Sequence, residues 1–322
     1  MTIPPGFEDS GKTCKLQRAL YRLRQALQAW YSEINAYLQA QGLTKSTEEP
    51  KLYYSIRNGK YTLILLYVDD ILLTGDDYPF IAKLNAHLSK RFQMTNLGDA
   101  QIYLGVEFYY TKDRIYLHQQ RYIEKLLERF GMQDCNPFSV PMNPKLKLCK
   151  DTKTNPVDKL VYQSLVGGLL YATITRWDIQ YAVSCVSRYM SNPQQAHLTA
   201  AKNILWYLRG TIDHGIFFPA NDTGELSVFI DAEWAGETDS RRSTSGILYK
   251  LGSSPIAWSS KLQPTFRLSS TEAKYRVLSE ATRNATHFRR LLDELKIGNS
   301  SPTPIFCDNL RTKYIELEHH YI

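Results

Sequence analysis

The sequence predicts an α+β fold, with strand-rich segments towards both ends of the chain and a block of helices between them. Apolar residues dominate 52–56 and 61–75 of the 322-residue chain, as they do in buried strands. Apolar residues recur at helical spacing over 158–209, and alternating apolar and polar residues return after 225. Strands and helices therefore fall in separate blocks, which is typical of α+β proteins.

The first block is predicted to be a small sheet with flanking helices. Residues 14–41 have apolar side chains at helical spacing, and Gly42 fits a helix end. Strands are predicted at 52–56 and 61–75, with a hairpin signal, Asn58-Gly59, between them. The other elements predicted from the same patterning are a helix at 79–91, a strand pair at 102–117 and a helix at 120–130.

A linker and a helical block are predicted next. Residues 133–157 are rich in Pro, Asn and Lys and lack periodicity, which indicates a linker. Three helices are predicted after it, at 158–174, 177–191 and 194–209. Four basic residues in this block are candidates for phosphate contacts, although charges on helices are more often simply solvated: Arg176, Arg188, Lys202 and Arg209.

The last block is predicted to be a mixed sheet that carries one long helix. Strands are expected at 226–232, 244–251 and 255–260, a helix at 270–295 and a returning strand at 303–308. Apolar residues in the helix repeat by threes and fours, which predicts an amphipathic helix with one face on the sheet.

Composition sets limits on partners and cellular location. Lys plus Arg exceed Asp plus Glu by 39 to 32, a net charge of +7 that suits a polyanionic partner but also occurs in proteins without one. The 5 cysteines and 7 histidines show no disulfide or zinc-ligand spacing. No apolar stretch is long enough to span a bilayer, and the first residues lack signal-peptide features. We therefore expect an intracellular protein, cytoplasmic or nuclear, without a membrane partner.

Two adjacent acids, Asp69 and Asp70, interrupt an apolar run. Burying ionised carboxylates is costly, so a tight turn that exposes both is expected between two strands. There they could bind divalent metal ions, the usual apparatus of nucleotidyl transfer. The alternative is an exposed hairpin turn whose acids have no function.

Three acids in the last block form a second candidate constellation. Asp231 alternates with apolar residues in its strand, Glu272 lies in the first turn of the long helix, and Asp308 ends the returning strand. If the two strands are neighbours, the three carboxylates can converge and hold two Mg²⁺ ions, which would neutralise their repulsion. The alternatives are an exposed strand residue, the Glu of a capping box with Ser269, and a turn.

A long series of motifs runs along the chain in a fixed order. It includes Pro4-Pro5-Gly6-Phe7, Ala29-Trp30-Tyr31, Tyr67-Val68-Asp69-Asp70-Ile71, Tyr103-Leu104-Gly105-Val106-Glu107, Asp231-Ala232-x-Trp234-Ala235-Gly236, Ser269-Ser270-Thr271-Glu272-Ala273 and Cys307-Asp308-Asn309. This series resembles the Pol polyprotein of Ty1/copia-type retrotransposons, in its reverse transcriptase and ribonuclease H parts. The resemblance covers essentially the whole chain.

The resemblance implies a domain order and two activities. It implies a partial reverse transcriptase palm at 1–135, a linker and helical connector at 136–215, and a ribonuclease H-like mixed sheet with helices at 216–322. RNA-directed DNA polymerisation would use Asp69 and Asp70. Hydrolysis of RNA in RNA–DNA hybrids would use the three acids of the second constellation, since only RNA carries a 2′-hydroxyl.

The resemblance also implies cofactors and partners. Mg²⁺, or Mn²⁺ in its place, would occupy two-metal sites, and Glu316 aligns with the last acidic ligand of the family's nuclease site. The partners would be an RNA template, a DNA primer, an RNA–DNA hybrid and the rest of the Pol polyprotein.

The chain departs from the family pattern near both ends. Relatives have a further metal-binding aspartate upstream, whereas the only acids before position 30 are Glu8 and Asp9. We therefore expect negligible polymerisation, and an open apolar sheet edge that favours aggregation. Asn309-Leu310 leads directly into 311–316, where relatives have an intervening helix and loop. Two extended residues reach only about 7 Å, so whether Glu316 reaches the metals is open.

Two hypotheses follow for this sequence. The first is a Pol segment whose polymerase site is incomplete and whose ribonuclease H site, although altered near its end, hydrolyses RNA in hybrids. The second is a catalytically silent, nucleic-acid-binding relic of a decayed element.

Overall fold

A computed structural model of the protein describes residues 24–267, 269–298 and 301–307. The chain divides into two compact units, with the boundary between Gly98 and Asp99. The described residues form three four-stranded sheets. Two of these sheets are antiparallel throughout and one is mixed, so the architecture combines helices with antiparallel and mixed sheets.

The first unit is an antiparallel sheet with two helices. Its elements are α1 (Arg24–Ala40), β1 (Thr44–Lys45), β2 (Leu52–Arg57), β3 (Lys60–Tyr67), β4 (Asp70–Gly75) and α2 (Tyr78–Phe92). The strands lie side by side in chain order. Ile34 and Leu38 on α1, Ile64 on β3 and Leu84 on α2 are fully buried in one cluster. Because Ile34 and Leu38 are four residues apart, they lie on the same face of α1.

The tight turn predicted between two strands within 61–75 is present, and it lies at Val68 and Asp69. Among the described residues, β4 pairs only with β3, so it forms an edge of this sheet. Its apolar residues, Ile71, Leu72 and Leu73, are half-buried. An apolar edge of this kind is the feature from which aggregation was predicted.

The second unit begins with an antiparallel sheet and a helical block. Its elements are β5 (Ile102–Tyr103), β6 (Val106–Tyr110), β7 (Arg114–His118), α3 (Gln120–Arg129), α4 (Lys159–Ala172), a 3₁₀ turn (Trp177–Ile179), α5 (Gln180–Ser187), α6 (Gln195–Gly210) and β8 (Gly215–Pro219). Residues 130–158, all described, contain no helix or strand. β8 has no counterpart among the predicted elements, and it pairs with β7 across the whole helical block.

Four helices share one apolar core in the second unit. Leu165 and Leu169 on α4, Val183 on α5 and Leu205 on α6 are fully buried in a cluster that also includes Leu127 of α3. Burial of each such side chain contributes about 1.5–3 kcal/mol. The helical block is therefore a packed body that joins the strands on either side of it.

The C-terminal part of the second unit is the mixed sheet with its long helix. It consists of β9 (Leu226–Glu233), β10 (Thr244–Leu251), β11 (Ser254–Leu262), α7 (Ser270–Glu294) and β12 (Ile305–Cys307). The spatial order is β11-β10-β9-β12, and β12 runs parallel to β9. Val228 and Ile230 of β9 are buried against Val277 and Ala281 of α7. One face of the sheet is thus covered by α7, in agreement with the amphipathic pattern.

Two negative findings apply to the described part of the chain. Cys135, Cys149 and Cys185 in it are free thiols. None of its helices is both long enough and apolar enough to cross a bilayer.

Candidate functional site

The first pair of candidate acids lies in the hairpin between β3 and β4. Tyr67 and Asp70 are the last paired residues, and Val68 and Asp69 form the two-residue loop. Both carboxylates are exposed, as predicted from the cost of burying them. Asp69 and Asp70 can therefore reach solvent and any metal ion there.

The backbone of this turn is strained and held from one side by α1. Val68 has a φ of 54°, a left-handed conformation that β-branched residues rarely adopt. The indole Nε1–H of Trp30 donates a hydrogen bond to the carbonyl oxygen of Val68 at 2.6 Å. The Trp30 ring packs edge-on against Phe92 at 5.2 Å between ring centroids. Helices α1 and α2 thus position the acidic turn.

The second group of acids begins with Asp231 on β9. Its side chain is exposed on the sheet face opposite α7, because Ile230 and Ala232 on either side point into the core. This orientation was predicted from the alternation of apolar residues. One carboxylate oxygen, Oδ1, accepts a hydrogen bond from the backbone N–H of Ala232 at 2.7 Å.

Glu272 lies in the first turn of α7, where Ser269 caps the helix. The Ser269 hydroxyl accepts a hydrogen bond from the Glu272 backbone N–H at 3.1 Å, which is the serine half of the capping box considered for this motif. The Glu272 carboxylate forms an ion pair with Arg267, with 2.9 Å between Oε1 and Nη1. The sequence did not predict a contact of Arg267 with Glu272, because no local pattern relates a loop arginine to a glutamate five residues later in a helix.

The remaining acids of the predicted nuclease site, Asp308 and Glu316, lie outside the described residues. The parallel pairing of β12 with β9 brings Cys307 opposite Ile230. These are the residues that immediately precede Asp308 and Asp231 in sequence. Convergence of the three carboxylates on one patch stays a prediction.

The described residues do not by themselves form a metal centre. Within them, no group of three or more His, Cys, Asp or Glu side chains is arranged to hold a metal ion. The exposed carboxylates of Asp69, Asp70 and Asp231 are oxygen donors of the type that Mg²⁺ prefers. The chemistry of these donors fits a divalent cation, whereas the number of described ligands falls short.

Three of the four basic residues proposed for phosphate contacts make hydrogen bonds within the protein. Arg176 is only 1% exposed, and its guanidinium binds the carboxylate of Asp178 and both the carbonyl and hydroxyl oxygens of Thr211. The interpretation of Arg176 as a phosphate ligand is therefore wrong, because its donors are used inside the protein. Arg188 donates to the Thr244 hydroxyl at 3.2 Å, and Arg209 donates to the Gln133 carbonyl at 2.6 Å.

Comparison with known proteins connects these features to one class. The family described as "Reverse transcriptase (RNA-dependent DNA polymerase)" matches residues 1–144. The chain is 38% identical over 338 residues to the Retrovirus-related Pol polyprotein from transposon RE1 of Arabidopsis thaliana, with 100% of this chain and 23% of the relative covered. It is 37% identical over 348 residues to the corresponding polyprotein from transposon TNT 1-94 of Nicotiana tabacum, with 100% and 26% covered.

A shorter relative matches along most of its own length. It is the Uncharacterized mitochondrial protein AtMg00810 of Arabidopsis thaliana, 42% identical over 216 residues, with 67% of this chain and 90% of the relative covered.

The matching family and the acidic hairpin define a reverse-transcriptase-like protein. The chain belongs to the Pol polyproteins of Ty1/copia-type retrotransposons. It spans about a quarter of the length of the RE1 and TNT 1-94 polyproteins.

Proposed function

We propose that this chain is a nucleic-acid-processing segment of Pol that hydrolyses the RNA strand of RNA–DNA hybrids. The observation that carries this proposal is the parallel register of β12 on β9, which pairs Cys307 with Ile230. If the register continued for one more residue, Asp308 would lie beside Asp231. Helix α7, with Glu272 in its first turn, packs against β9. This arrangement supports a three-carboxylate site of the ribonuclease H type in 216–322.

The proposed reaction depends on what each acid does. Asp231 is exposed and available to bind a cation, with one oxygen held by the Ala232 N–H. Glu272 forms an ion pair with Arg267. Its carboxylate therefore has to release the guanidinium of Arg267 before it can bind the metal. Bound Mg²⁺, or Mn²⁺, would activate the attacking water and stabilise the charge on the phosphate. A ribonucleotide strand would be selected through its 2′-hydroxyl.

The acidic hairpin of the first unit supports a polymerase ancestry within the proposed palm of 1–135. Asp69 and Asp70 offer two adjacent carboxylates on a strained turn. Mg²⁺ prefers six oxygen ligands in a near-ideal octahedron and gives up its waters reluctantly. Two exposed carboxylates alone therefore hold it weakly, and we expect negligible primer extension on an RNA template by this chain.

The test is cleavage of a labelled RNA–DNA hybrid by the full chain, with and without Mg²⁺. Asp231→Asn keeps the shape of the side chain and removes its charge, so it is expected to abolish cleavage. Glu225→Gln, an exposed acid just before the same strand, is the matched control and is expected to cleave normally. Cleavage that persists in Asp231→Asn would contradict the proposed site.

A second candidate function is nucleic-acid binding without catalysis, as in a relic of a decayed element. The Arg267–Glu272 ion pair favours this alternative, because it occupies a carboxylate that the metal needs. Binding of the hybrid without Mg²⁺-dependent cleavage, in wild type and both variants, would establish the silent protein. The RNA template, DNA primer and remaining Pol polyprotein are proposed partners in either case.

A further inference from the structure

Three aromatic side chains form a row across the sheet that consists of β5, β6, β7 and β8. Tyr109 on β6 is paired with Tyr116 on β7, and Tyr116 is paired with Phe217 on β8. Residues that are directly paired in neighbouring strands point to the same face of a sheet. These three residues, which we call the aromatic row, therefore share one face. All of them belong to the second compact unit.

The aromatic row is open to solvent. Tyr109 is 61% exposed and Phe217 is 49% exposed, whereas Tyr116 between them is half-buried. The opposite face of the sheet is more buried at this position, since Ile216, the neighbour of Phe217 on β8, is only 5% exposed. A single exposed aromatic residue needs no explanation, but adjacent exposed apolar residues mark interaction surfaces.

The rings of the aromatic row are held in place before any ligand binds. The Tyr116 hydroxyl donates a hydrogen bond to the backbone carbonyl of Asp213. The Tyr116 ring also stacks on His118, with 5.3 Å between the ring centroids. The backbone carbonyl of Phe217 accepts a hydrogen bond from the Ser254 hydroxyl at 2.8 Å, which fixes β8 at this residue. A surface that is already ordered loses little conformational freedom when it binds a partner.

The geometry of the aromatic row suits unpaired bases. Neighbouring strands lie about 4.8 Å apart, so the row extends roughly 10 Å across the sheet. Exposed aromatic residues on a four-stranded sheet stack two or three bases in a common class of RNA-binding domain. Bases inside a duplex are already stacked on each other and present only their edges in the grooves. A row of ring faces therefore favours a single strand over a duplex.

The charges on this face indicate where the phosphates of such a strand would lie. Arg114 is two residues before Tyr116 on β7, so it lies on the same face. Its side chain is exposed and makes no ion pair or hydrogen bond with another described residue. Glu107 shares the face, but its carboxylate is paired with Arg121 at 3.2 Å. The exposed Asp213 beside Tyr116 disfavours phosphate there, which leaves the Arg114 end for the backbone of the strand.

We propose that the aromatic row binds unpaired nucleotides of a single-stranded nucleic acid. The bases stack on the three rings, and a backbone phosphate pairs with the guanidinium of Arg114. This inference goes beyond the proposed hydrolysis, because it uses none of the acids assigned to the two proposed metal sites. It concerns binding and is measured without metal, so the two proposals can fail separately.

The test is fluorescence anisotropy of a labelled thymidine hexanucleotide, titrated with the full chain in EDTA. An abasic hexanucleotide with the same sugar–phosphate backbone is the matched ligand. The base-bearing strand is expected to bind about tenfold more tightly than the abasic strand, because only bases can stack on the rings. Equal binding of the two strands would overturn the proposal, since it would show that phosphate contacts alone hold the ligand.

Variants of the most exposed ring test whether stacking is responsible. Tyr109→Ala is expected to weaken binding of the hexanucleotide about tenfold. Tyr109→Phe retains a ring and is expected to bind as wild type does, whereas Tyr109→Leu is apolar without a ring and is expected to bind as weakly as Tyr109→Ala. Tyr275→Ala, which removes a residue that is 65% exposed on α7, is the matched control and is expected to bind normally. Full affinity in Tyr109→Ala would overturn the proposal.

Salt dependence separates the rings from the charge. Arg114→Gln removes one phosphate contact and is expected to reduce the slope of log affinity against log salt concentration by about 0.7. Phe217→Ala is expected to weaken binding at every salt concentration and to leave this slope unchanged, because stacking releases no counterions. An unchanged slope in Arg114→Gln would contradict the assignment of the phosphate to this residue.

Two further outcomes would assign the aromatic row a different role. Asp231→Asn is expected to bind the hexanucleotide as wild type does, and loss of binding in that variant would place the strand at the proposed nuclease site instead. A higher monomer fraction of Tyr109→Ala in sedimentation velocity runs, with unchanged binding of the hexanucleotide, would identify the row as a contact between protein chains. Either result would overturn the proposal.

Discussion

Arg176 and Asp178 form a two-point ion pair, with 2.9 Å between Nε and Oδ1 and 2.6 Å between Nη2 and Oδ2. The guanidinium is buried, whereas the Asp178 side chain is 25% exposed. Tyr207 on α6 donates its hydroxyl to the same carboxylate at 2.8 Å. Thr211, at the end of α6, accepts from the guanidinium. The pair therefore ties the 3₁₀ turn before α5 to the end of α6.

Asp178→Asn is expected to destabilise the protein by about 3 kcal/mol, because it leaves the buried guanidinium without a counter-charge. Urea unfolding of the full chain measures this difference. Asp134→Asn removes an exposed carboxylate and is expected to change the unfolding free energy by less than about 0.5 kcal/mol. Equal stability of the two variants would show that the ion pair contributes little.

The stabilising effect of Asp178 is also expected to depend on pH. Burial opposes its ionisation, but the hydrogen bonds and charge of Arg176 outweigh burial and hold the pKa of Asp178 below its ordinary value. A carboxyl group whose pKa is lower in the folded than in the unfolded state stabilises the fold at pH values above its unfolded pKa of about 3.9. This stabilisation is lost as the pH falls through the folded-state pKa. The difference between wild type and Asp178→Asn should thus be constant near neutral pH and shrink below about pH 4. The measurement is the unfolding free energy of both proteins across this pH range. A difference between them that grew as the pH fell would contradict a lowered pKa of Asp178.

Arg267→Met is expected to lower the Mg²⁺ concentration needed for hybrid cleavage several-fold. The substitution removes the cation that pairs with Glu272 and retains much of the side-chain bulk. Without the Arg267 charge the carboxylate is expected to bind a divalent ion more readily, because that guanidinium no longer has to be displaced. The measurement is the cleavage rate as a function of Mg²⁺ concentration. Arg276→Met is the control, because Arg276 is exposed and lies on α7, the helix that carries Glu272. A higher Mg²⁺ requirement would indicate that Arg267 positions Glu272 for the metal.

Val68→Gly is expected to stabilise the first unit by about 1 kcal/mol, since glycine adopts positive φ without the strain of a β-branched residue. Val68 is 46% exposed, so little apolar burial is lost. Val140→Gly is the matched control, because Val140 is 49% exposed and is not among the residues with positive φ. Thermal unfolding should show a gain for the first variant and none for the second. A loss of stability in Val68→Gly would show that the Val68 side chain stabilises the first unit by more than its backbone strain destabilises it.

The purified chain is expected to self-associate through the apolar edge of the first sheet. Leu65 on β3 is paired with Leu72 on the edge strand β4, and Leu65 is 38% exposed. Leu72→Lys places a charge on that edge and is expected to raise the monomer fraction in sedimentation velocity runs. A monodisperse, cooperatively melting wild-type monomer would contradict this expectation.

Local patterns were sufficient to predict most elements. The repeat of apolar residues predicted α7 over 270–295, and the helix is observed at Ser270–Glu294. Alternation in β9 correctly placed Asp231 on the face away from the core. These features depend on side chains close in sequence, so periodicity is enough to find them.

Features that depend on distant residues were not predicted. β8 pairs with β7 across the helical block, and nothing in its five residues indicates that partner. Arg176 was misinterpreted because arginine is usually exposed, and only the fold supplies Asp178 and Thr211 in positions that satisfy a buried guanidinium. The meeting of Asp231, Glu272 and Asp308 stays a prediction, and so do the domain boundaries drawn at 135 and 215.

The pairing of β7 with β8 has a consequence for synthesis on the ribosome. The second strand of the pair emerges only after the entire helical block has been translated. Until then β7 exposes unpaired backbone groups in the nascent chain. Closing so long a loop is slow compared with forming a local hairpin, so this part of the protein matures late. Substitutions that delay docking of β8 should therefore lower the yield of soluble protein more than they lower the stability of the finished fold.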